Sequence, residues 1–159
     1  MKTNIRTPSL DDANAICHVV RRSITECCAA DHKDDPELLA AWLQNKTPDN
    51  VRRWLQTEGA LSVVAEIQGA VAGFALATSL GELMLCYLVP EARFTGVGRA
   101  MLAAIERKAA AVGIDTLHLE STRTARDFYL RYGFSPTGPA ELAFGIEGYP
   151  MNKPVKREQ

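Results

Sequence analysis

A nearly continuous apolar run, ELMLCYLV, is followed within a few residues by RFTGVGRAML, in which two glycines stand two residues apart. An apolar run of this length is typical of a strand that is covered on both faces. After Val97 the apolar residues Met101, Ile105 and Ala109 recur at four-residue steps, as on one side of an amphipathic helix. Gly113 stands where such a helix commonly ends. The sequence therefore predicts a buried strand, a glycine-containing loop and a long helix in direct succession.

The neighbouring segments have strand and helix patterns of their own. ALSVVAEIQGAVAGFALATS consists of two β-rich runs broken at Gln68 and Gly69, which predicts a hairpin. IDTLHLES predicts another strand, and TRTARDFYLRYGF predicts a helix that ends at Gly133. The remaining residues, rich in Gly and Pro, predict two weak strands and loops.

The first third of the chain is predicted to be mainly helical. NIRTPS forms a short strand, and an apolar stripe of helical period begins after Ser9. Two further helices are predicted to begin after Asp35 and Thr47. Each of these is a capping residue that is followed by proline at the first helical position. The element order is β-α-α-β-β-β-α-β-α-β, with or without a final β. This order predicts a mixed α/β fold with helices on both faces of a central sheet.

Composition bounds the class of protein. The chain has 159 residues, which fits one domain. Its net charge of -1 does not indicate electrostatic binding to a nucleic acid duplex or an anionic membrane. No signal peptide or membrane-spanning run is visible, and the four cysteines have neither zinc-ligand spacing nor the density of a disulfide scaffold. We therefore expect a cytoplasmic protein without a metal. A single domain over residues 1–153 and a fraying tail at 154–159 are predicted.

The glycines in RFTGVGRAML have two possible explanations. A glycine-flanked loop at a helix start points main-chain N–H groups outward at the positive end of the helix dipole, which suits phosphate. Arg93 and Arg99 bracket the loop and could add charge-assisted contacts. The alternative is that Gly96 and Gly98 serve a tight turn. A Walker loop is excluded because Gly-Lys-Ser/Thr is missing, and a dinucleotide fingerprint because Met101 stands where its third glycine would be.

Two segments together carry a resemblance to a known family. YLVPEARFTGVGRAML resembles the acyl-CoA signature of the GNAT superfamily of N-acetyltransferases, whose central loop reads Arg/Gln-x-x-Gly-x-Gly/Ala, with Arg93, Gly96 and Gly98 at its specified positions. ARDFYLRYGF is similar to the second segment of the family, in which Ala-x-x-Phe-Tyr precedes Gly-Phe. The hairpin also resembles the second and third strands of the family. Two residues depart from the pattern: Phe94 where glycine is common, and Thr122 where asparagine often stands.

The resemblance implies a GNAT-like, mostly antiparallel sheet that splits between its fourth and fifth strands. It also implies acetyl-CoA as co-substrate, with the pantetheine arm paired to the fourth strand and the pyrophosphate held by the glycine loop. Carried over by position, the residues expected to bind this cofactor are Cys86, Tyr87, Leu88, Val89, Arg93, Phe94, Thr95, Gly96, Val97, Gly98, Arg99, Ala100, Thr122 and Tyr129.

The same resemblance implies three catalytic groups. Tyr129 matches the family's tyrosine that protonates the departing thiolate, although it also lies on the apolar stripe of its helix and could simply pack. The main-chain N–H of Leu88, where the family has a strand bulge, is the expected oxyanion donor. Glu82 has the spacing of the glutamate that acts as general base in one branch of the family. His118 and Glu120, on one face of the fifth strand, are the other candidates for the base. Ordered water is a further alternative.

The acceptor is not specified by any motif. The acidic run in CCAADHKDDPE, with Asp31, His32, Asp34 and Asp35, could attract a cationic amine, but capping and solvation are the more common roles of such a run. We expect a small-molecule amine and no nucleic acid or membrane partner, with a protein amine as the second choice. A non-catalytic acyl-CoA-binding module and an interaction domain are the other classes. The family resemblance makes a homodimer conceivable.

Overall fold

The computed structural model describes residues 2–156 and contains six α-helices and eight β-strands within them. The strands are β1 (Thr3–Arg6), β2 (Leu61–Ile67), β3 (Ala70–Ala77), β4 (Leu83–Leu88), β5 (Thr116–Ser121), β6 (Ser135–Pro136), β7 (Glu141–Ala143) and β8 (Ile146–Pro154). The helices are α1 (Ala13–Cys27), α2 (Ala29–His32), α3 (Pro36–Leu43), α4 (Pro48–Gln56), α5 (Val97–Ala111) and α6 (Arg126–Arg131). Across the described residues, no helix has the length and apolar character needed to cross a membrane.

The strands form two sheets that meet at one point. β1, β2, β3 and β4 are antiparallel neighbours in that order, and β5, β8 and β6 form the second sheet, with β7 paired to β8. Within residues 2–156, β4 and β5 are joined by a parallel bridge of Glu82 with His118, and the His118 N–H donates to the Gly81 carbonyl at 2.9 Å. Beyond this bridge the two strands separate, so the predicted split in the sheet is present.

Helices cover both faces of the first sheet, as predicted. One apolar cluster packs α5 residues such as Met101 and Ile105 against β2, β3 and β5. The other cluster packs α1 residues such as Ile16 and Ile24, with α4, against the opposite face. From Leu85 to Leu88 the residues of β4 alternate between the two clusters, which explains the apolar character of this part of the run, whereas Met84 is exposed.

Local chemistry explains the predicted turns and caps. Gln68 and Gly69 both have positive φ, 52° and 83°, as the two central residues of a type I′ hairpin turn require. The Asp35 carboxylate accepts from the Glu37 N–H at 2.9 Å, and the Thr47 hydroxyl accepts from the Asn50 N–H at 3.2 Å, so both predicted caps are present.

Some element boundaries differ from the prediction. Four helices separate β1 from β2, whereas the predicted order has two and the predicted helix starts number three. The additional helix is α2, which the left-handed residues Lys33 and Asp34 separate from α3. Three strands, rather than one or two, follow α6. The predicted fraying tail begins at 154, but Pro154 ends β8 and Val155 is buried, with its N–H donating to the Asp115 carbonyl at 2.8 Å. Residues 157–159 of that tail lie outside the described residues.

Candidate active site

A cavity of about 620 Å³ opens where β4 and β5 diverge. Its walls come from the end of α1, the second half of β4, the loop before α5, the first turn of α5, and the segment that contains α6. The residues that line it are Ser23, Cys27, Cys28, Cys86, Tyr87, Leu88, Arg93, Phe94, Gly96, Gly98, Arg99, Thr122, Thr124, Ala125, Asp127, Phe128, Tyr129, Arg131 and Tyr132. The two sequence segments that carry the family resemblance therefore meet in one cavity.

The loop before α5 has the geometry of an anion site. Gly96 is the residue before the first helical turn and has φ of +88°, a left-handed conformation that favours glycine. The first intrahelical bond runs from the Ala100 N–H to the Gly96 carbonyl at 3.1 Å. The N–H groups of the preceding turn consequently have no intrahelical acceptor. A Cβ built at Gly96 would have no atom of the rest of the protein within 4 Å, so the space beside this main chain is open to a ligand.

Gly98 is present for a different reason. Its φ is not in the left-handed region, but a Cβ there would lie 3.1 Å from Phe128 Cε1 and 3.4 Å from Leu88 Cδ1. The glycine therefore lets the α6 side chain Phe128 approach the start of α5. The sequence analysis offered a ligand and a tight turn as explanations; the open space at Gly96 fits the ligand one, whereas the packing requirement at Gly98 is neither of the two.

Positive charge dominates the cavity. Three arginines, Arg93, Arg99 and Arg131, line it against one carboxylate, Asp127. The Arg99 guanidinium lies 5.9 Å from the centre of the Tyr132 ring. Guanidinium groups beside free helix N–H groups suit a phosphate-bearing ligand.

Main-chain N–H and C=O groups along one edge of β4 face the cavity. The Val89 N–H donates to the Ala72 carbonyl at 2.9 Å, and Leu88 is opposite Gly73 in the antiparallel register. Because hydrogen-bonded and non-hydrogen-bonded pairs alternate in such a ladder, the N–H and C=O of Cys86 and Leu88 point away from β3, toward the split. Those of Tyr87 and Val89 are directed at β3. The register irregularity of β4 lies between Leu83 and Leu85, so the strand bulge is not at Leu88.

The Tyr129 side chain is buried at the cavity wall, 6% exposed, against the rings of Phe128 and Phe134. Burial, with the neighbouring Cys86 thiol, raises the pKa of Tyr129 well above its usual value near 10. Burial raises the pKa of Cys86 to about 11, and a hydrogen bond with Tyr129 partly opposes this rise. Both groups are therefore protonated at neutral pH, and the tyrosine hydroxyl remains available as a donor beside the β4 edge.

Glu82 lies at the closed end of the split, away from the residues that line the main cavity. It borders a second cavity of about 340 Å³ together with His118 and Glu120. Burial, followed by a hydrogen bond with Glu141, raises the pKa of Glu120. The structure thus groups the three rival bases with one another and separates them from Tyr129.

Residues of the acidic run near α2 make structural contacts within the protein. The Asp31 carboxylate is 6% exposed and accepts from the Arg123 N–H at 2.6 Å and from the Thr124 hydroxyl at 2.6 Å. The His32 ring, fully buried, lies 2.9 Å from the Ile24 carbonyl through Nε2, and its Nδ1 accepts from the Asp34 N–H at 3.1 Å. With Asp35 capping α3, the capping interpretation of this run fits better than attraction of an amine.

The other expected cofactor residues lie at the edges of the site. The Thr122 hydroxyl accepts from the Ala125 N–H at 3.1 Å and so caps the turn before α6, while the Thr95 hydroxyl donates to the Ala92 carbonyl. Val89 and Val97 are buried, and they do not line the cavity. Ala100 is half-buried on the first turn of α5, also outside the lining.

Sequence reasoning missed several lining residues on α6 and α1. In the α6 segment the sequence analysis singles out Tyr129 but does not consider Asp127, Arg131 or Tyr132 as lining residues. The helical period gives no signal for Asp127 and Arg131, because each is two residues from Tyr129, whereas residues three and four apart share a helix face. Cys27 and Cys28, at the end of α1, gave no signal either.

Comparison with known proteins agrees with this geometry. The family model of the acetyltransferase (GNAT) domain matches residues 28–155, which is most of the chain. The chain belongs to the GNAT acetyltransferase family. No curated protein sequence matches it. The GNAT fold predicted from the sequence is confirmed.

Solved structures of other GNAT proteins have the same architecture. The PaiA N-acetyltransferase from Thermoplasma acidophilum, solved in complex with coenzyme A, is 21% identical and has a TM-score of 0.84 over 97% of this chain and 99% of that one. A GCN5-related N-acetyltransferase from Rhodopseudomonas palustris is 22% identical, with a TM-score of 0.85 over 98% of this chain and 97% of that one. The ribosomal-protein-S18-alanine N-acetyltransferase from Escherichia coli is 21% identical, with a TM-score of 0.66 over 99% of this chain and 97% of that one.

Proposed function

We propose that this GNAT protein transfers an acetyl group from acetyl-CoA to a primary amine of a small molecule. The observation that carries the proposal is that the glycine loop, the free edge of β4 and Tyr129 share one positively charged cavity. The pyrophosphate would bind the N–H groups at the start of α5 with Arg93 and Arg99. The pantetheine amides would pair with the Cys86 main chain and the Leu88 carbonyl as an added strand, which leaves the Leu88 N–H free for the reacting carbonyl. The relative that was solved with coenzyme A supports this choice of ligand.

The chemistry is direct transfer through a tetrahedral intermediate. The amine nitrogen attacks the thioester carbonyl carbon, the carbonyl oxygen becomes an oxyanion, and the main-chain N–H of Leu88 donates to it. The C–S bond then breaks, the electron pair goes to sulfur, and the Tyr129 hydroxyl gives its proton to the departing thiolate. The amide nitrogen still carries one extra proton, which passes to the Tyr129 oxygen and restores the hydroxyl. The proton that the ammonium must lose before attack passes to Glu82 through ordered water. The raised pKa of Cys86 keeps its thiol protonated, so it does not compete with the amine.

The turn between β7 and β8 lies against α3. Gly145, in this turn, is so close to α3 that a Cβ there would be 2.6 Å from Leu38 Cδ2. We take these two elements as the border of the acceptor side of the cleft, and their contact is the reason for preferring a small molecule to a protein chain. The E. coli relative named for a ribosomal protein substrate keeps a protein amine as the second candidate.

Thiol release measured across a panel of amines, with acetyl-CoA as donor, tests the proposal. Tyr129→Phe should lower kcat by at least about 100-fold, the usual contribution of a positioned proton donor, while acetyl-CoA affinity measured by calorimetry changes little. Tyr132→Phe is the matched control, because it removes a hydroxyl from the same cavity without touching Cys86. Equal turnover of the two variants would exclude Tyr129 from the chemistry. Release of no thiol from any amine by a wild type that binds acetyl-CoA would indicate a binding module.

A further inference from the structure

Phe94 lies at the mouth of the cavity, where its ring is exposed and has the Arg93 guanidinium as a neighbour. Its side chain is 95% exposed, although it lines the same cavity as Arg93 and Gly96. Its backbone has φ of 62°, in the left-handed region that L side chains rarely adopt. A large apolar side chain in that conformation gains nothing from burial here and costs about 1 kcal/mol of strain relative to glycine. A role in folding therefore does not explain this residue.

The surroundings of Phe94 indicate what its ring could contact. The Arg93 guanidinium carbon lies 5.0 Å from the centre of the ring, which gives the ring a cationic neighbour while leaving most of its surface exposed. Phe94 is two residues from Gly96, and two residues span at most about 7 Å. A group that stacks on this ring must therefore lie close to the position proposed for the pyrophosphate, on the solvent side of the loop.

The coenzyme has one flat aromatic group, and it is attached through a ribose to the same pyrophosphate. We infer that Phe94, with Arg93 beside it, is the stacking platform for the adenine base of the coenzyme. The inference rests on the proposed function, since it takes a coenzyme A thioester as the ligand. Tyr132, the other aromatic residue near the loop, is less suited because its ring already packs against Phe128 at 4.9 Å between centroids and against Arg99.

The contribution of the adenine base to binding can be measured by comparing two ligands. Calorimetry compares coenzyme A with 4′-phosphopantetheine, which lacks the adenosine part. Phe94→Ala and Phe94→Gly should weaken coenzyme A binding by about 5- to 100-fold, the range that corresponds to loss of one base–aromatic stack. Binding of 4′-phosphopantetheine should change little, because this ligand has no base to stack on the Phe94 ring.

The chain offers a close control. Phe144 is also a phenylalanine with positive φ, 51°, and 91% exposure, but it lies in the turn between β7 and β8 and does not line the cavity. Phe144→Ala should leave both affinities unchanged. Phe94→Gly should also leave the urea midpoint unchanged or higher, because glycine relieves the strained backbone. A binding loss without a stability loss is a result that a purely structural role would not give.

The outcomes distinguish this inference from the proposed function. A wild type that binds coenzyme A, with both Phe94 variants binding it equally well, would overturn the stacking platform and leave the acetyltransferase proposal standing. Equal weakening of coenzyme A and 4′-phosphopantetheine by Phe94→Ala would also overturn it, since the effect would then not concern the base. A wild type that binds neither ligand would overturn both proposals.

Discussion

The Asp31 carboxylate links α2 to the segment that carries Tyr129. It extends from α2, and its Oδ1 accepts from the Arg123 N–H at 2.6 Å. Its Oδ2 accepts from the Thr124 hydroxyl at 2.6 Å and, at 3.3 Å, from the Thr124 N–H. The contact joins residues more than ninety positions apart, so one side chain fixes the turn that leads into α6. We therefore expect Asp31→Ala to destabilise the protein and to loosen α6.

The size of this effect can be worked out from the three contacts. A hydrogen bond to a charged group contributes about 1.5–3 kcal/mol, and the long bond at 3.3 Å contributes less than the two short ones. Arg123 is exposed, so water replaces part of what its N–H loses, whereas Thr124 is half-buried. The expected loss in the free energy of unfolding is therefore about 2–4 kcal/mol. Asp31→Asn keeps one acceptor oxygen and should lose about half as much.

Urea unfolding followed by circular dichroism measures this loss. Asp11→Ala is the matched control, because Asp11 is an exposed carboxylate near a helix start and its removal should change the free energy by no more than about 0.5 kcal/mol. If Asp31→Ala unfolds at the same urea concentration as Asp11→Ala, the buried carboxylate does not hold the α6 segment and the reasoning fails. Amide exchange in wild type and Asp31→Asn should in addition show faster exchange at residues 123–131 in the variant.

Three further predictions concern single sites. Gly98→Ala should not give the gain of about 1 kcal/mol that this change gives in an open helix, because the methyl group would crowd Phe128 at 3.1 Å; a full gain in urea unfolding would contradict the packing role. Gly96→Ala should cost about 1 kcal/mol of stability at its φ of +88° and should weaken acetyl-CoA binding by calorimetry, whereas unchanged affinity would place the phosphates elsewhere. The Arg6 guanidinium lowers the pKa of Asp12 to about 2, so this carboxylate stabilises the folded state above its unfolded pKa near 4, and the contribution is lost as pH falls from 4 through 2. Asp12→Asn should therefore cost about 1–2 kcal/mol at pH 7 and nothing near pH 2, and an equal cost at both pH values would contradict the linkage.

The parts of the fold that could be predicted are those in which one chemical requirement acts within a short stretch. The cap residues Asp35 and Thr47 and the turn at Gln68 and Gly69 each satisfy their own neighbouring backbone, so their sequence pattern is sufficient. The strand–loop–helix unit was predictable for the same reason, because the apolar period changes at Gly96.

The parts that could not be predicted depend on contacts between distant residues. Nothing in the neighbourhood of Asp31 shows that its partners are Thr124 and the Arg123 main chain, because their positions are set by the packing of α2 against the turn before α6. Similarly, Gly98 reads as part of a ligand loop until Phe128 is seen beside it. The glycine motif thus combines a packing requirement at Gly98 with a left-handed, open position at Gly96, and sequence alone does not separate the two.

The positions of the candidate catalytic groups constrain how the proton leaves the amine. Glu82 and Cys86 are four residues apart on an extended strand, which corresponds to about 13 Å, and Tyr129 interacts with Cys86. An amine that attacks a thioester beside Tyr129 is therefore out of hydrogen-bonding range of Glu82, and proton transfer to that carboxylate must use water within the split. Glu82→Gln should then lower kcat/KM, while Glu120→Gln should not. If neither substitution lowers kcat/KM, the proton passes directly to solvent and Glu82 takes no part in the chemistry.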